Sequence, residues 1–309
     1  MKKVFIDGSA GTTGLRIYER IADREDVELI VLPDELRKDA AARKAAINSA
    51  DVVFLCLPDD AAREAVSFVE SDKVTVIDAS TAHRTLPNWA YGFPELSKGH
   101  EEKITQSKRI AVPGCHASGF IALVYPLIEA GYLDKDALLT CHSITGYSGG
   151  GKKMIAEYED ENRNPLLDAP RQYALGQQHK HLKEMKAVCG LENAPIFCPI
   201  VSDFYSGMTV TVPLFASQLK KGGIEEIKAL YKAKYAGNFV QYVDGVDEGG
   251  LLSGLANAQK DSMKIAVAGN EERILLLASY DNLGKGASGA AIECMNIALG
   301  AERTKGLVL

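Results

Sequence analysis

KKVFIDGSAGTTGLRIYERI (residues 2–21) decides the fold of the first part of the chain. An apolar run rich in strand formers gives way at Gly8 to a turn of small residues, and the turn opens into a segment with apolar residues at helical spacing. Gly8, Gly11 and Gly14 recur at every third position, with Thr12 and Thr13 between the last two. This G-x-x-G-x-x-G turn works like the commoner G-x-G-x-x-G. Glycine lets the backbone approach a pyrophosphate, and the helix that follows offers N–H groups. Placed between a first strand and a first helix, it reads as a dinucleotide site in preference to a tight structural turn.

Outward from this turn, the runs KKVFID, VELIVL, DVVFLCLP and VTVIDAS alternate with LRIYERIADRED, ELRKDAAARKAAINSA and AAREAVSFVES, which have helical spacing. Strands alternating with helices predict βαβ units, hence an α/β, Rossmann-type doubly wound domain whose parallel sheet is covered on both faces. Such a fold places the adenosine ribose just past the second strand, where an acid holds a 2′-hydroxyl and a base accommodates a 2′-phosphate. LPDELRKD carries Asp34 and Glu35 but also Arg37 and Lys38. Solvated charges and a cofactor role for Arg37 both stay open. DASTAHRTLP brings Ser80, Thr81 and Arg84 to the expected cofactor edge. A guanidinium there suits a substrate phosphate or carboxylate, which it binds bidentately; the alternative is a surface arginine in a loop.

After Gly114 the regular alternation stops. LLTCHSITG, PIFCPIVSDF, MTVTVPLFA, MKIAVAG and ERILLLASY are strand-like, several with period two, and fewer helices separate them. They predict an α+β domain with a mixed or antiparallel sheet and helices on one face. GASGAAIECMNIALGA reads as a last helix.

Of the six cysteines, Cys56, Cys141, Cys198 and Cys294 lie in apolar, patterned segments, where a free cysteine is usually core. Cys189 has no telling context, and no C-x-x-C spacing suggests zinc or a redox pair. Cys115, in AVPGCHASG (residues 111–119), differs: Pro-Gly precedes it and an apolar helix follows. A thiol in the first turn of a helix feels the positive end of the helix dipole, which stabilises its anion. It would sit at the junction of the two domains, where a nicotinamide would meet substrate.

A cysteine nucleophile needs a partner that handles protons. His179 and His181 stand in GQQHKHLKEMKAV, where Glu184 could orient a ring nitrogen. The same H-x-H is compatible with a polar surface loop, and no third ligand at metal spacing accompanies it. His116 adjoins Cys115, but neighbouring helical residues point apart, which makes it a poor base for that thiol. Two glycine-rich segments, SITGYSGGGKKM with Ser148 and Gly149, and DNLGKGASGAA with Asn282, Lys285 and Gly286, also stand out. The second fits a strand-to-helix turn that receives a phosphate or a nicotinamide amide on backbone N–H groups.

The formal net charge of −6 and a pI near 5.6 argue against a general nucleic-acid binder. MKKVFIDGSAG turns to glycine too soon for a signal peptide, and no apolar run is long enough to span a bilayer. A soluble cytoplasmic protein without membrane or nucleic-acid partners is expected.

Together, GSAGTTG, DASTAHR, VPGCHASG, TGYSGGGK, HKHLKEM and DNLGKGASGAA resemble, in order and over nearly the whole chain, the motifs of the N-acetyl-γ-glutamyl-phosphate reductase family in its shorter form, from arginine biosynthesis. The longer form has proline in H-x-H-x-P-E where this chain has Lys183. The resemblance implies residues 1–113 as an NADP-binding domain completed by the C-terminal helix 286–309, and 114–285 as the catalytic and oligomerisation domain. It also implies NADPH as cofactor, an acyl-phosphate substrate, and a homodimer or homotetramer. Cys115 would attack the acyl phosphate to form a thioester, and His181, with His179 in reserve, would move the protons. Gly8, Gly11, Thr12, Thr13, Gly14, Arg37, Ser80, Asn282, Lys285 and Gly286 would face the cofactor; Arg84, Ser148, Gly149 and Glu184 would face the substrate. The confusable relative is another acyl-phosphate reductase such as aspartate-semialdehyde dehydrogenase, acting on aspartyl phosphate or an aminoadipyl analogue, whose substrate carries its amine free where this one's is acylated; a non-catalytic nucleotide-binding regulator is the alternative of another class.

Overall fold

Successive residues of the first strand are buried in different layers, Val4 and Ile6 on one face of a sheet and Phe5 on the other. In the computed structural model, which describes residues 1–309, this strand is β1 (Lys2–Asp7). It is followed by α1 (Thr12–Ile21), β2 (Val27–Ile30), α2 (Ala40–Ser49), β3 (Val52–Leu55), α3 (Asp59–Ser67), β4 (Thr75–Asp78), β5 (Ala90–Tyr91), α4 (Lys98–Gln106) and β6 (Arg109–Ala111). The strands form one parallel sheet in the order β2-β1-β3-β4-β6-β5. Ile17, Ile21 and Ile104 from α1 and α4 pack with Val4, Phe54 and Ile77. Ala46, Ile47, Ala62 and Ala65 from α2 and α3 pack with Phe5, Val53 and Val76. Burial on both faces is why these strands read as unbroken apolar runs. Strand order reverses between β1 and β3, and in such sheets ligands bind beyond the strand C-termini at that point.

The helix expected over ELRKDAAARKAAINSA is shorter than its pattern. Asp34–Leu36 makes a single 3₁₀ turn, and α2 begins after Asp39, whose Oδ1 accepts from Ala42 N at 2.7 Å. A carboxylate at the N-cap satisfies an amide that the helix leaves free, which fixes the start there.

The second unit runs α5 (Cys115–Glu129), β7 (Thr140–Gly146), α6 (Gly151–Glu159), β8 (Arg171–Gln172), α7 (His181–Cys189), β9 (Ile196–Ser202), β10 (Met208–Phe215), α8 (Ile224–Lys234), β11 (Val240–Tyr242), β12 (Met263–Gly269) and β13 (Arg273–Tyr280). Its mixed sheet has the order β11-β12-β13-β10-β7-β9-β8, parallel at β11/β12 and β7/β9 and antiparallel elsewhere. α5 packs on β10 and β13 and against α7 and α8, and it is buried nearly all round. Gly119 permits this approach, since a Cβ there would come within 2.7 Å of Val210 and Tyr280. Pro126 inside α5 cannot donate to Ala122 O. Tyr235 replaces the missing donor, its hydroxyl lying 2.7 Å from Ala122 O. A mixed sheet with helices packed on one face is the architecture expected from the period-two runs.

After β13 the chain returns to the first unit as α9 (Gly289–Leu299), whose Ala291, Ile292 and Met295 join the core around Val4. Residues 1–113 with 287–308 form one unit, and 114–286 with Leu309 form the other. The last helix is shorter than the 286–309 read from the sequence because Gly300, at φ 64°, ends it in a left-handed cap. The tail beyond is anchored by Arg303, which donates to Glu293 Oε1 at 2.7 Å and to Glu95 Oε1 at 2.6 Å. No helix is long and apolar enough to cross a membrane.

Candidate functional site

Gly8, Gly11, Thr12, Thr13 and Gly14 lie in the turn from β1 to α1. Gly8 has φ 88°, and a Cβ there would lie 2.3 Å from Cys56 O at the end of β3, so only glycine fits. A Cβ at Gly14 would lie 2.4 Å from Gly8 O, whereas one at Gly11 would meet nothing nearer than 3.4 Å. Gly11 is the N-cap of α1 and brings no side-chain acceptor to the helix start. Thr12 Oγ1 is buried without a hydrogen-bond partner. Helix amides lacking intrahelical partners, a buried hydroxyl to be satisfied and a bare backbone suit a pyrophosphate.

The other residues of this edge are more occupied than their sequence context suggests. Ser80 Oγ donates to Asp78 Oδ2 at 2.7 Å and Ser80 N to Oδ1 at 2.9 Å, while His83 Nδ1 lies 2.6 Å from Oδ2. Ser80 therefore shapes the turn after β4. Arg84 is buried, and its Nε and Nη2 donate to Val112 O and Ala79 O at 2.8 and 2.9 Å. It is not a surface arginine; these two donors tie its loop to the end of β6. Arg37 is half-exposed and its Nη2 pairs with Asp34 Oδ1 at 2.6 Å.

In the second unit, Cys115 is the first residue of α5, with Gly114 as N-cap. Gly114 N donates to Oε1 of the buried Glu184 at 2.8 Å, and Tyr280 OH donates to Cys115 O at 2.5 Å. Glu184 thus holds the backbone before the cysteine. Gly286 packs directly on Cys115, since a Cβ there would lie 3.1 Å from that of Cys115. A thiol so placed has its anion favoured by the amides of the first helical turn.

His179 and His181 come together, ring centroids 4.6 Å apart, and His179 Nδ1 accepts from His181 N at 3.2 Å, which caps the start of α7. His116 joins them at 5.8 and 5.6 Å. Its Nδ1 lies 2.6 Å from Ser143 Oγ and its Nε2 2.6 Å from Tyr173 OH. Burial, with a smaller contribution from His179, lowers the His116 pKa to about 3, so the ring is neutral. Ser143 and Tyr173 escaped sequence reasoning because nothing local marks them.

The two glycine-rich segments also meet. Asn282 Nδ2 donates to Ser148 Oγ at 3.0 Å, and its Oδ1 accepts from Gly207 N at 2.9 Å. A Cβ at Gly149 would lie 3.4 Å from Asn282 Nδ2. Asp281 is buried and accepts from Ser206 Oγ, Gln259 N, Leu283 N and Gly284 N, which fixes the turn. Lys285 is buried with Nζ 5.3 Å from the centre of the Phe239 ring.

Residues 3–106 match the family model described as semialdehyde dehydrogenase, NAD binding domain, and residues 115–282 that described as semialdehyde dehydrogenase, dimerisation domain. The fold is shared with aspartate semialdehyde dehydrogenase from Francisella tularensis (TM-score 0.72, 14% identity, 96% of this chain and 99% of that chain). It is shared too with a probable aspartate-semialdehyde dehydrogenase from Pseudomonas aeruginosa (TM-score 0.73, 14% identity, 96% and 98%). Fold and domains define the semialdehyde-dehydrogenase class. Within it, the chain is 45% identical over 307 residues to N-acetyl-gamma-glutamyl-phosphate reductase of Sinorhizobium medicae (97% of this chain, 99% of the relative). It is 44% identical over 306 residues to that of Brucella ovis (96% and 99%). The chain belongs to the N-acetyl-gamma-glutamyl-phosphate reductase family.

Proposed function

We propose that the protein catalyses the NADPH-dependent reductive dephosphorylation of N-acetyl-L-glutamyl 5-phosphate to N-acetyl-L-glutamate 5-semialdehyde, a step of arginine biosynthesis. Cys115 carries this reading: a thiol at the first position of a buried helix, in a chain 44–45% identical to reductases of that name. Its thiolate attacks the acyl carbonyl, a C–S bond forms, and phosphate leaves with the electrons of the C–O bond. The thioester is an uncharged acyl group, a better hydride acceptor than a carboxylate. A reduced nicotinamide cofactor supplies that hydride when bound. Cys115 departs as thiolate when the semialdehyde forms.

His181 takes and returns the protons, with His179 in reserve; the commitment of His179 Nδ1 to the His181 amide supports this order. Gly8, Gly11, Thr12, Thr13 and Gly14 hold the pyrophosphate, and Arg37 favours a 2′-phosphate. Ser148 and Gly149 serve the substrate, and Lys285 and Gly286 the cofactor. Ser80, Arg84, Glu184 and Asn282 serve by fixing the loops around these groups, as their hydrogen bonds support.

A homodimer forms through the sheet face opposite α5. Ile144, Ile196, Phe215 and Leu275 lie there and are 36, 61, 63 and 39% exposed. An apolar face of this kind is a usual subunit contact. Six cysteines without disulfides fit a reducing cytoplasm.

The test is phosphate-dependent reduction of NADP by N-acetylglutamate semialdehyde, run beside aspartate semialdehyde. Turnover of the acetylated substrate is expected; turnover of aspartate semialdehyde alone would move the protein to the sister reaction.

A further inference from the structure

In a regular α-helix that starts at Cys115, the amide of Gly119 closes the first turn on the carbonyl of Cys115. In α5 the hydroxyl of Tyr280, the last residue of β13, stands at both of these groups: Gly119 N donates to it at 3.0 Å, and it donates to Cys115 O at 2.5 Å. An amide N–H only donates and a carbonyl only accepts, so the direction of both bonds is fixed. Burial, and then the charge of Cys115, raise the Tyr280 pKa well above the usual phenol range, so the proton that meets Cys115 O stays in place. Tyr280 is fully buried, and Gly119 gives it room, since a Cβ there would lie 2.7 Å from the hydroxyl.

This contact repairs nothing. Farther along α5, Tyr235 OH donates to Ala122 O at 2.7 Å, where Pro126 has no N–H to offer. The first turn has its own donor in Gly119. The segment that begins at Tyr280 also ends on the cysteine, because a Cβ at Gly286 would lie 3.1 Å from that of Cys115. Between these two contacts Asp281 stiffens the segment. Its Oδ1 accepts from Leu283 N and Gly284 N at 2.7 and 2.9 Å, and its Oδ2 from Ser206 Oγ and Gln259 N at 2.7 and 2.5 Å. Its backbone carbonyl accepts from Gly286 N at 3.0 Å.

We propose that Tyr280 is a positioning residue for the nucleophile: residues 280–286 clasp Cys115, Tyr280 at its carbonyl and Gly286 at its Cβ, and so fix where the thiol stands at the start of α5. This rests on Cys115 being the nucleophile of the proposed function. The groups that the Tyr280 hydroxyl joins are each other's ordinary helical partners. Without the hydroxyl, Gly119 N closes directly on Cys115 O, and no buried donor or acceptor is orphaned. The fold therefore tolerates the loss, but the first turn tightens and carries Cys115 from its place. A displacement of about 1 Å at a reacting group can cost about a hundredfold in rate.

Tyr280→Phe in the full chain tests it. The urea midpoint should stay near that of wild type, whereas the rate at which N-acetylglutamyl phosphate acylates Cys115 without cofactor should fall about ten- to a hundredfold. An unchanged rate would overturn the proposal, as would a loss of rate matched by a loss of folded protein. Carbonyl ¹³C NMR of labelled cysteines reads the contact without substrate. The resonance missing from Cys115→Ser should move more in Tyr280→Phe than those of the other cysteines, and a resonance that stays in place would overturn the clasp. Wild-type protein that takes no acyl group would instead contradict the proposed function, a result distinct from equal acylation of wild type and variant.

Discussion

Gly114 N donates to Glu184 Oε1 at 2.8 Å, so the residue before Cys115 is fixed to a buried carboxylate on α7, 70 residues along the chain. Glu184→Ala leaves that amide without its acceptor and should lower stability by about 1–3 kcal/mol. Glu184→Gln keeps a carbonyl oxygen in place and should lose less than half as much. Urea unfolding of the two variants checks this; equal losses would show that the hydrogen bond to Gly114 is not what Glu184 contributes.

The glycine turn separates folding from cofactor binding. A Cβ at Gly8 or Gly14 collides with backbone oxygen at 2.3 or 2.4 Å, whereas one at Gly11 stands 3.4 Å from its nearest neighbour. Gly11→Ala should unfold like wild type yet bind NADPH at least tenfold more weakly, because the methyl intrudes where the pyrophosphate meets the helix start. Gly14→Ala should lose both stability and binding. Calorimetry of binding beside thermal unfolding distinguishes the two.

His116 should make folding sensitive to acid. Its pKa in the fold, about 3, lies below the ordinary 6.5. The folded state thus holds the ring neutral while the unfolded chain protonates it. The stabilising contribution is fully present above pH 6.5 and is lost as the pH falls toward the folded value, with a slope of up to about 1.4 kcal/mol per pH unit. His116→Gln should flatten that slope in urea titrations at neutral and acid pH, and an unaltered slope would contradict the buried neutral ring.

Arg37 is half-exposed and paired with Asp34 at 2.6 Å. A charge-assisted contact to a 2′-phosphate is worth about 1.5–3 kcal/mol, or roughly ten- to a hundredfold in affinity. Arg37→Ala should weaken NADPH binding by that factor and barely change NADH binding. Equal effects on both cofactors would remove Arg37 from the site.

Much of the architecture was legible because its causes are local. Buried parallel strands need apolar residues on both faces, and KKVFID and DVVFLCLP show them; the glycine spacing at residues 8, 11 and 14 follows from contacts within one turn and with Cys56. Cys115 stood out through Pro-Gly before it and an apolar helix after it. Long-range partners were not legible. Nothing in DASTAHR shows that Val112 O, 28 residues on, takes one of the donors of Arg84. The reading that His116 points away from Cys115 said nothing of what it points toward, since Ser143 lies on β7 and Tyr173 in the loop just after β8. Asp281 was passed over in DNLGKGASG, although its four hydrogen bonds hold the turn that carries Gly286 to Cys115.

The most direct measurement is mass spectrometry of the protein mixed with N-acetylglutamyl phosphate without reduced cofactor and quenched in acid. One N-acetylglutamyl group should be found on the peptide containing Cys115, removable by hydroxylamine, with Cys115→Ser carrying none and losing turnover while still binding NADPH. An acyl group on another residue, or near-normal phosphate-dependent turnover by Cys115→Ser, would contradict a thioester at Cys115.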